Sequence, residues 1–220
     1  MKRIYPWKGI LLIWLLGCRM LCQDVFSKVL TGIDVSGIRG EVDYKAISRW
    51  ISILLPIYST IGLWLFTEKK NRIYLMYRYI SCFQWWRSLC CTILIQSVGY
   101  YVVLLIFLVV LTGVDAVQLT ACIGFLLVHT VLGGIFIAAI WERTLFTGSV
   151  LSVIAIEYIL IAIAYFIPVS YGKAVLPFLG MIRYVSGEAE YLRVCAAEVV
   201  GIIVLIILIP KILSLKNRRR

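Results

Sequence analysis

The sequence predicts an all-α integral membrane protein with six transmembrane helices, and three observations support that fold class. The 220-residue chain is 62% hydrophobic and 15% charged, with a mean hydropathy of +0.98, whereas a soluble domain is about 45–50% apolar. The apolar residues form continuous runs, and about 20 such residues cross a bilayer as a helix. The runs do not alternate as the strands of a barrel do, so helices must satisfy their backbone groups in lipid.

Six apolar runs are the predicted spans, and residues 1–220 are predicted to form a single transmembrane domain. The spans cover residues 9–22, 50–67, 88–112, 118–141, 149–167 and 192–213. The first run is short and contains Arg19, whose long side chain can extend to the far membrane surface. The second contains Pro56, which removes a backbone donor and can kink the helix. Longer loops, residues 23–49 and 169–191, follow spans one and five.

The placement of lysine and arginine predicts that both termini are cytoplasmic. With that orientation the inner segments, counted with Lys211 at the end of span six, carry fourteen basic residues, and the outer loops, counted with Arg193 at its start, carry seven, which is the asymmetry that the positive-inside rule describes. The net charge of +11 is therefore gathered at the ends of spans, next to the lipid bilayer. This placement argues against a nucleic-acid partner and predicts a multi-pass protein of the plasma membrane.

Residues 69–87, KKNRIYLMYRYISCFQWWR, separate spans two and three and are neither a clean span nor an ordinary polar loop. Apolar residues that share one helical face recur here at Ile73, Met76, Tyr77, Ile80 and Phe83. Five basic residues are interleaved with six aromatic ones. The pattern predicts a basic amphipathic helix at the cytoplasmic membrane surface. A juxtamembrane anchor, with aromatic side chains at the interface and basic ones on anionic lipid, has the same pattern.

Two acidic residues and the single histidine stand out inside predicted spans: His129 in span four, Glu157 in span five and Glu198 in span six. A charged side chain at the centre of a bilayer costs about 2.5–3.5 kcal/mol on insertion scales, so such residues need partners. His129 and Glu157 lie at similar depth on consecutive antiparallel helices, and we expect them to meet. Glu198 lies nearer the outside, where Arg193 or Arg19 is its expected partner. The three residues either line a substrate pathway or form interhelical hydrogen bonds alone.

The sequence lacks the common motifs of nucleotide hydrolysis and hydrolytic catalysis. It contains no GxxxxGK[ST], HExxH or GxSxG pattern, so we expect neither a P-loop ATP site nor those hydrolase sites. One histidine and seven scattered cysteines do not form a zinc set, and no cofactor is expected in this chain. A Cys–His peptidase stays open as an alternative, because Cys122 and His129 are seven residues apart and share a helical face.

The layout resembles the permease subunits of ABC-2-type transporters, in particular the small six-span permeases of bacterial peptide-antibiotic export and immunity systems. The similar features are six spans, cytoplasmic termini, long outer loops after spans one and five, and a basic amphipathic segment between spans two and three. Those permeases often carry an Arg-x-x-Ser-x-x-x-Trp-like pattern in that segment. The residues here that are similar to it are Arg78, Ser81, Trp85, Trp86 and Arg87. The short first span with Arg19 departs from the family layout.

The resemblance implies that separate subunits carry out membrane passage and ATP hydrolysis. This chain would be the permease and not an enzyme, and a separate ATP-binding subunit would hydrolyse ATP with Mg²⁺. The segment between spans two and three would be the coupling helix that docks on that ATPase. The residues expected to carry this coupling are Arg72, Arg78, Ser81, Phe83, Trp85, Trp86 and Arg87. In that family the loop before span six can hold short re-entrant helices.

The resemblance also implies an assembly and a class of substrate. Six spans make half of a pathway, so we expect a second permease copy, or a similar permease, together with two ATPases in a bacterial cytoplasmic membrane. The expected substrate is a peptide or another amphiphilic molecule that is exported. Two other classes stay open: a small structural or regulatory membrane protein, and an intramembrane peptide-processing enzyme. An adjacent gene for a lone ATPase would favour the permease.

Overall fold

The part of the chain that the structure describes is a bundle of long helices. The computed structural model describes residues 30–33, 42–76, 81–112, 116–141, 146–166 and 175–217. Within these ranges the regular secondary structure is all helical, as the sequence predicts. The long helices are α1 (Tyr44–Met76), α2 (Cys82–Thr112), α3 (Ala116–Trp141), α4 (Phe146–Ala164) and α5 (Glu188–Asn217). Two short 3₁₀ helices, Leu176–Leu179 and Ile182–Tyr184, precede α5.

In the part of the chain that the structure describes, four helices are long and apolar enough to cross a membrane, which supports a membrane protein. Their apolar segments are Tyr44–Leu65, Cys82–Val110, Leu119–Trp141 and Glu188–Ile212. They correspond to predicted spans two, three, four and six. The segment that corresponds to span five, Ser149–Ala164, is apolar but shorter, at roughly 24 Å against a hydrocarbon core of about 30 Å. Predicted span one, residues 9–22, lies outside the described residues, so the count of six stays a prediction.

The basic stretch between spans two and three does not form a helix of its own in the described residues. Its first part, to Met76, is the end of α1, and its last part, from Cys82, is the start of α2. No glycine or proline occurs between Leu63 and Val98. Nothing therefore ends α1 at the membrane surface or delays the start of α2, and both helices run into the basic stretch. The side chain of Arg72 and the whole of Arg78 lie outside the described residues.

The contacts between helices define their relative directions. Along α3 and α5, Ala121 contacts Tyr191, His129 contacts Glu198, and Leu132 lies beside Gly201, so these two helices are parallel. Along α2 and α3, Tyr101 contacts Thr130 and Ile93 lies beside Gly134, so these two are antiparallel. Helix α1 runs with α3, because Tyr58 meets Gly133 and Ile61 meets Gly134. This is the alternation that the predicted topology requires of spans two, three, four and six.

Helix α3 lies at the centre of the bundle and packs against α1, α2, α4 and α5. Two adjacent glycines allow this close packing. A Cβ at Gly133 would lie 2.7 Å from Cζ of Tyr58, and a Cβ at Gly134 would lie 2.8 Å from Cγ2 of Ile93. Both distances are too short for a real side chain. Small residues therefore let α1 and α2 approach the backbone of α3, as is usual in membrane helices.

Pro56 lies inside α1, which continues through it. A proline cannot donate a backbone hydrogen bond, and its ring displaces the preceding turn. The Tyr100 hydroxyl on α2 donates to the Ile53 carbonyl in that turn at 2.9 Å. The Thr60 hydroxyl donates to the Pro56 carbonyl at 2.8 Å. A neighbouring helix and a threonine thus supply hydrogen bonds around the proline, which is how membrane helices tolerate this residue.

The segment before α5 is a partly buried hairpin, defined here as residues 175–184. Gly180 makes its turn with φ of +80° and donates its N–H to the Pro177 carbonyl at 3.0 Å. Leu176 and Met181 are fully buried. Met181 packs against Gly32, so the hairpin contacts the described residues of the other long loop. The sequence places both segments in outer loops, and the hairpin has the position of the re-entrant helices that the resemblance implies.

Candidate functional site, a buried histidine between two glutamates

His129 lies between the carboxylates of two neighbouring helices. Its Nδ1 is 3.3 Å from Oε1 of Glu198 on α5, and its Nε2 is 3.5 Å from Oε1 of Glu157 on α4. The first contact is a hydrogen bond. The second is close enough for charge attraction but lacks the geometry of a hydrogen bond. The approach of His129 to Glu157 is the one that their equal depth predicts.

Glu198 has a partner other than Arg193, which is one of the two partners that the sequence suggests. Among the described residues Glu198 contacts His129 and not Arg193, because the rotation of α5 decides which side of the bundle it faces. Arg193 precedes it by five residues, which is about 140° around a helix of 3.6 residues per turn, and Arg193 is exposed. Arg19, the other expected partner, lies outside the described residues. The structure therefore brings His129, Glu157 and Glu198 into one cluster.

Tyrosine and threonine side chains extend this cluster to the first two helices. The Tyr58 hydroxyl on α1 donates to Glu157 Oε1 at 2.8 Å. The Tyr101 hydroxyl on α2 lies 2.6 Å from Oγ1 of Thr130, the residue that follows His129. Each of the five long helices thus contributes a polar side chain. We define the buried cluster as Tyr58, Tyr101, His129, Thr130, Glu157 and Glu198.

The cluster is enclosed at the middle of the bundle. His129 lies near the centre of the apolar segment Leu119–Trp141, and its exposed fraction is 5%, against 6% for Glu157 and 3% for Glu198. The second carboxylate oxygens, Oε2 of Glu157 and of Glu198, have no hydrogen-bond partner among the described residues. Buried carboxylates without full hydrogen bonding are costly, so the arrangement calls for an explanation beyond simple packing.

Two glycines hold the histidine and its neighbours in place. A Cβ at Gly180 in the hairpin would lie 3.2 Å from the His129 ring, so the turn of the hairpin rests directly on the imidazole. Gly133, one turn after His129, leaves the space in which the ring of Tyr58 reaches Glu157. The hairpin and α1 therefore fix the ring and one carboxylate from opposite sides.

Sequence reasoning misses the tyrosines and Thr130 because such residues are common in apolar helices and carry no charge. One signal points to Tyr58, since two adjacent glycines follow His129 by about one turn and mark a close approach of another helix. No comparable signal identifies Tyr101, whose partner Thr130 is itself unremarkable in an apolar sequence. Which hydroxyl meets which helix depends on packing between residues that are far apart in the chain.

The geometry disfavours two kinds of chemistry at the cluster. Both ring nitrogens of His129 face carboxylates, whereas Cys122 is two helical turns away, roughly 10 Å along the axis. This does not form the Cys–His pair of a peptidase. Glu157 and Glu198 approach opposite edges of the ring, so the three residues do not converge on one ion. Accordingly, no group of three metal-ligating side chains occurs among the described residues.

The start of α2 holds the described residues that were expected to couple to an ATPase. Ser81 caps the helix, accepting the Gln84 N–H on its Oγ at 3.2 Å. The exposed fraction of Phe83 is 44%, and Arg87, one turn later, is exposed as well. Trp86 is fully buried, and Trp85 packs half-buried against the core. The structure thus divides the expected set into an exposed pair, Phe83 and Arg87, and an inward tryptophan pair.

Comparisons of the chain with protein-family models, with curated proteins and with solved structures found no match. No relative therefore assigns a role to the buried cluster or to the exposed pair on α2. The residues, their contacts and their position in an apolar helical bundle are the basis on which a function is proposed.

Proposed function

We propose that this chain is the membrane-spanning permease subunit of an ABC transporter. A separate ATP-binding subunit hydrolyses ATP with Mg²⁺, and this chain provides half of the route for the substrate. The protein resides in the plasma membrane, in a bacterium the cytoplasmic membrane. The substrate class is a peptide or another amphiphilic molecule, and the direction is export. This function rests on the residues and their layout, with the start of α2 as its main support.

The start of α2 is the observation that carries the proposal. Phe83 and Arg87 are exposed one turn apart, and an aromatic side chain beside an arginine is the usual composition of an interface hot spot. From Cys82 the helix runs without a break to Thr112. A push on Phe83 by a partner subunit is therefore transmitted along the whole span. A lipid anchor has no need of such continuity.

The inside of the bundle supports transport as well. Its buried cluster places polar groups at the middle of an apolar bundle, and ionisable residues inside spans commonly mark the paths of substrates or ions. The hairpin before α5 contacts the same cluster through Gly180 and His129. A segment that reaches inward from an outer loop and touches the centre of the bundle is suited to respond when the bundle changes shape.

The proposal includes a topology and an assembly. Residues 9–22 form a further span, which gives six spans with both termini in the cytoplasm. The charge asymmetry and the alternating directions of α1, α2 and α3 support this arrangement. Two permeases, either identical or similar, pair to enclose the pathway and bind two ATPases. Arg72 and Arg78 belong to the same cytoplasmic surface as Phe83 and Arg87 in this arrangement.

The test is co-purification of an ATPase with the tagged chain from native membranes in mild detergent. We expect Phe83→Ala and Arg87→Ala each to cost about 2 kcal/mol or more of association, which is about thirtyfold in affinity. The matched control is Ile95→Ala, an apolar residue on the same helix that is 61% exposed and faces lipid in this arrangement. This control is expected to retain the ATPase at the wild-type level.

The anchor alternative gives a different result. A basic residue at a membrane surface contributes about 1 kcal/mol, so single changes would be mild and would alter membrane attachment rather than ATPase binding. If no ATPase accompanies the wild-type chain, or if both variants bind it as the wild type does, the stretch is an anchor and the transporter proposal fails. A small structural or regulatory membrane protein is then the better description.

A further inference from the structure

We propose that His129, Glu157 and Glu198 form a proton-binding site in which the imidazole exchanges a proton with both carboxylates. The inference goes beyond the permease function, because it requires no ATPase and concerns the isolated chain. It rests on the geometry of three titratable side chains that are each more than nine-tenths buried. It also rests on two carboxylate oxygens that have no hydrogen-bond partner among the described residues.

The ring is placed to accept a proton on one edge and to release one on the other. Nδ1 faces Glu198 and Nε2 faces Glu157, so the carboxylates lie at opposite nitrogens of the same imidazole. One metal ion would need all three groups on the same side of the ring. A proton has no such requirement, because each nitrogen can hold one proton independently. The arrangement therefore fits a proton better than a metal cation.

The transfer balances within the three residues. When Glu198 is the carboxylic acid, its O–H bond breaks and a new N–H bond forms at Nδ1. The N–H bond at Nε2 then breaks, and the proton joins the carboxylate of Glu157. The imidazole is neutral before and after and has exchanged its tautomer, while the negative charge has moved from Glu157 to Glu198. No further reactant is required.

The contacts of His129 with Glu198 and with Glu157 differ in length. This difference connects proton transfer to the packing around the ring. The Nδ1 contact of 3.3 Å is a hydrogen bond. The Nε2 contact of 3.5 Å must shorten by about 0.5 Å to reach the usual N–H···O length. Transfer to Glu157 thus requires the ring and this carboxylate to approach each other, through the side chains or through a small movement of α3 and α4. The Tyr58 hydroxyl already donates to the oxygen that would receive the proton, so α1 takes part in this movement.

Titratable neighbours come from each packed helix and set the charge around the site. They are Tyr58 from α1, Tyr101 from α2, Glu157 from α4, and Glu198 with Cys195 from α5. The hairpin contributes Gly180, which has no titratable group. With His129 neutral and both glutamates ionised, the net charge of the site is −2, and two bound protons neutralise it. In a medium of low dielectric constant such charge changes alter the attraction between α3, α4 and α5 strongly.

The single histidine of the chain makes the test direct. The full-length protein is labelled with ¹⁵N-histidine, placed in lipid nanodiscs, and its imidazole signals are followed by NMR as a function of pH. We compare the wild type with Glu157→Gln and Glu198→Gln, which keep the shape of the side chain. Glu188→Gln, an exposed change at the start of the same helix as Glu198, is the matched control.

We expect the wild-type ring to titrate in more than one step, because its protonation depends on two neighbours that titrate with it. Each cluster variant removes one negative charge beside the ring. The proton concentration at which half of the imidazole is protonated should then change by tenfold or more. Glu188→Gln should leave the curve unchanged.

A wild-type curve that follows one isolated imidazole overturns the proposal, even if neither variant folds. A folded variant with the wild-type curve overturns the part assigned to that glutamate. Neither result depends on an ATPase, so failure here is distinct from failure of the permease function.

Discussion

Tyr58 connects the packing of the bundle to its buried charge. Its hydroxyl donates to Glu157, and its ring occupies the space above Gly133. The tyrosine therefore depends on a glycine of α3 for its position, and Glu157 depends on the tyrosine for a hydrogen bond from α1. A single change at either residue tests whether the cluster is held by packing, by hydrogen bonding, or by both.

Gly133→Ala should destabilise the protein by about 1–3 kcal/mol, the range for inserting a methyl group into a well-packed core. The new Cβ would lie within 3.1 Å of three atoms of Tyr58 and would push its ring away from Glu157. The control is Gly201→Ala, where the nearest heavy atom to the new Cβ is 3.8 Å away. That change should be neutral or slightly stabilising. Thermal unfolding in detergent measures both, and equal loss in the two variants would contradict the packing argument.

Tyr58→Phe keeps the ring and removes the hydroxyl. Hydrogen bonds to charged groups contribute about 1.5–3 kcal/mol, so a loss in that range is expected if Glu157 is ionised. Tyr158→Phe is the control, because Tyr158 is adjacent to Glu157 in sequence but stacks on Tyr44 and makes no hydrogen bond with the described residues through its hydroxyl. Thermal unfolding with no difference between the two variants would show that the Tyr58 hydroxyl contributes nothing.

At this scale the sequence predicts which charged residues need partners but not all of the partners. Depth along a span is readable from residue number, and it predicts the contact of His129 with Glu157. Rotation about the helix axis depends on how whole helices pack, and it decides that Glu198 faces His129 and not Arg193. Hydroxyl groups such as that of Tyr58 are unmarked in an apolar sequence, although Gly133 indicates where one helix approaches another.

At the scale of elements, α1 and α2 both extend beyond the length that a bilayer requires. Helix α1 has 33 residues and α2 has 31, or about 50 Å and 46 Å at 1.5 Å per residue. The described parts of the basic stretch thus belong to the ends of these two long helices. Amphipathic periodicity predicts that these residues are helical, and the described ones, to Met76 and from Cys82, are helical.

Trp86→Ala should destabilise the fold by about 3–5 kcal/mol, as expected for removal of a fully buried aromatic side chain. Phe83→Ala, three residues earlier and 44% exposed, should leave the unfolding temperature nearly unchanged. This contrast separates Trp86, which supports the fold, from the exposed pair of Phe83 and Arg87. Phe83 and Trp86 nevertheless belong to the same amphipathic turn. Unfolding of each variant in detergent measures the difference, and similar losses for both would contradict the assignment of Phe83 to an exposed surface.

For the whole molecule, the parallel directions of α1, α3 and α5 fix which ends of the described helices share a side. The ends of α1, α3 and α5 lie on one side of the bundle, and the start of α2 lies there too because α2 is antiparallel to α3. Charge agrees with this grouping, since eleven of the 22 basic residues fall within residues 68–87, 142–148 and 211–220, at or after the ends of these three helices. The sequence predicts this alternation correctly because apolar length and basic charge both repeat along the chain.

The number of spans is the remaining question at this scale, and reporters at the two termini answer it. Residues 9–22 are the predicted first span, and Arg19 makes that segment costly to insert. If it crosses the membrane, reporters fused before Met1 and after Arg220 should both be active only in the cytoplasm. If it does not, the C-terminal reporter stays cytoplasmic while the N-terminal reporter moves to the outer side.

A reporter placed within residues 169–174 should be active only outside in either case, because the hairpin loop lies on the other side of α5 from the basic tail. An outer signal from the C-terminal fusion would contradict the whole topology, since α5 and the tail would then be reversed against the positive-inside rule.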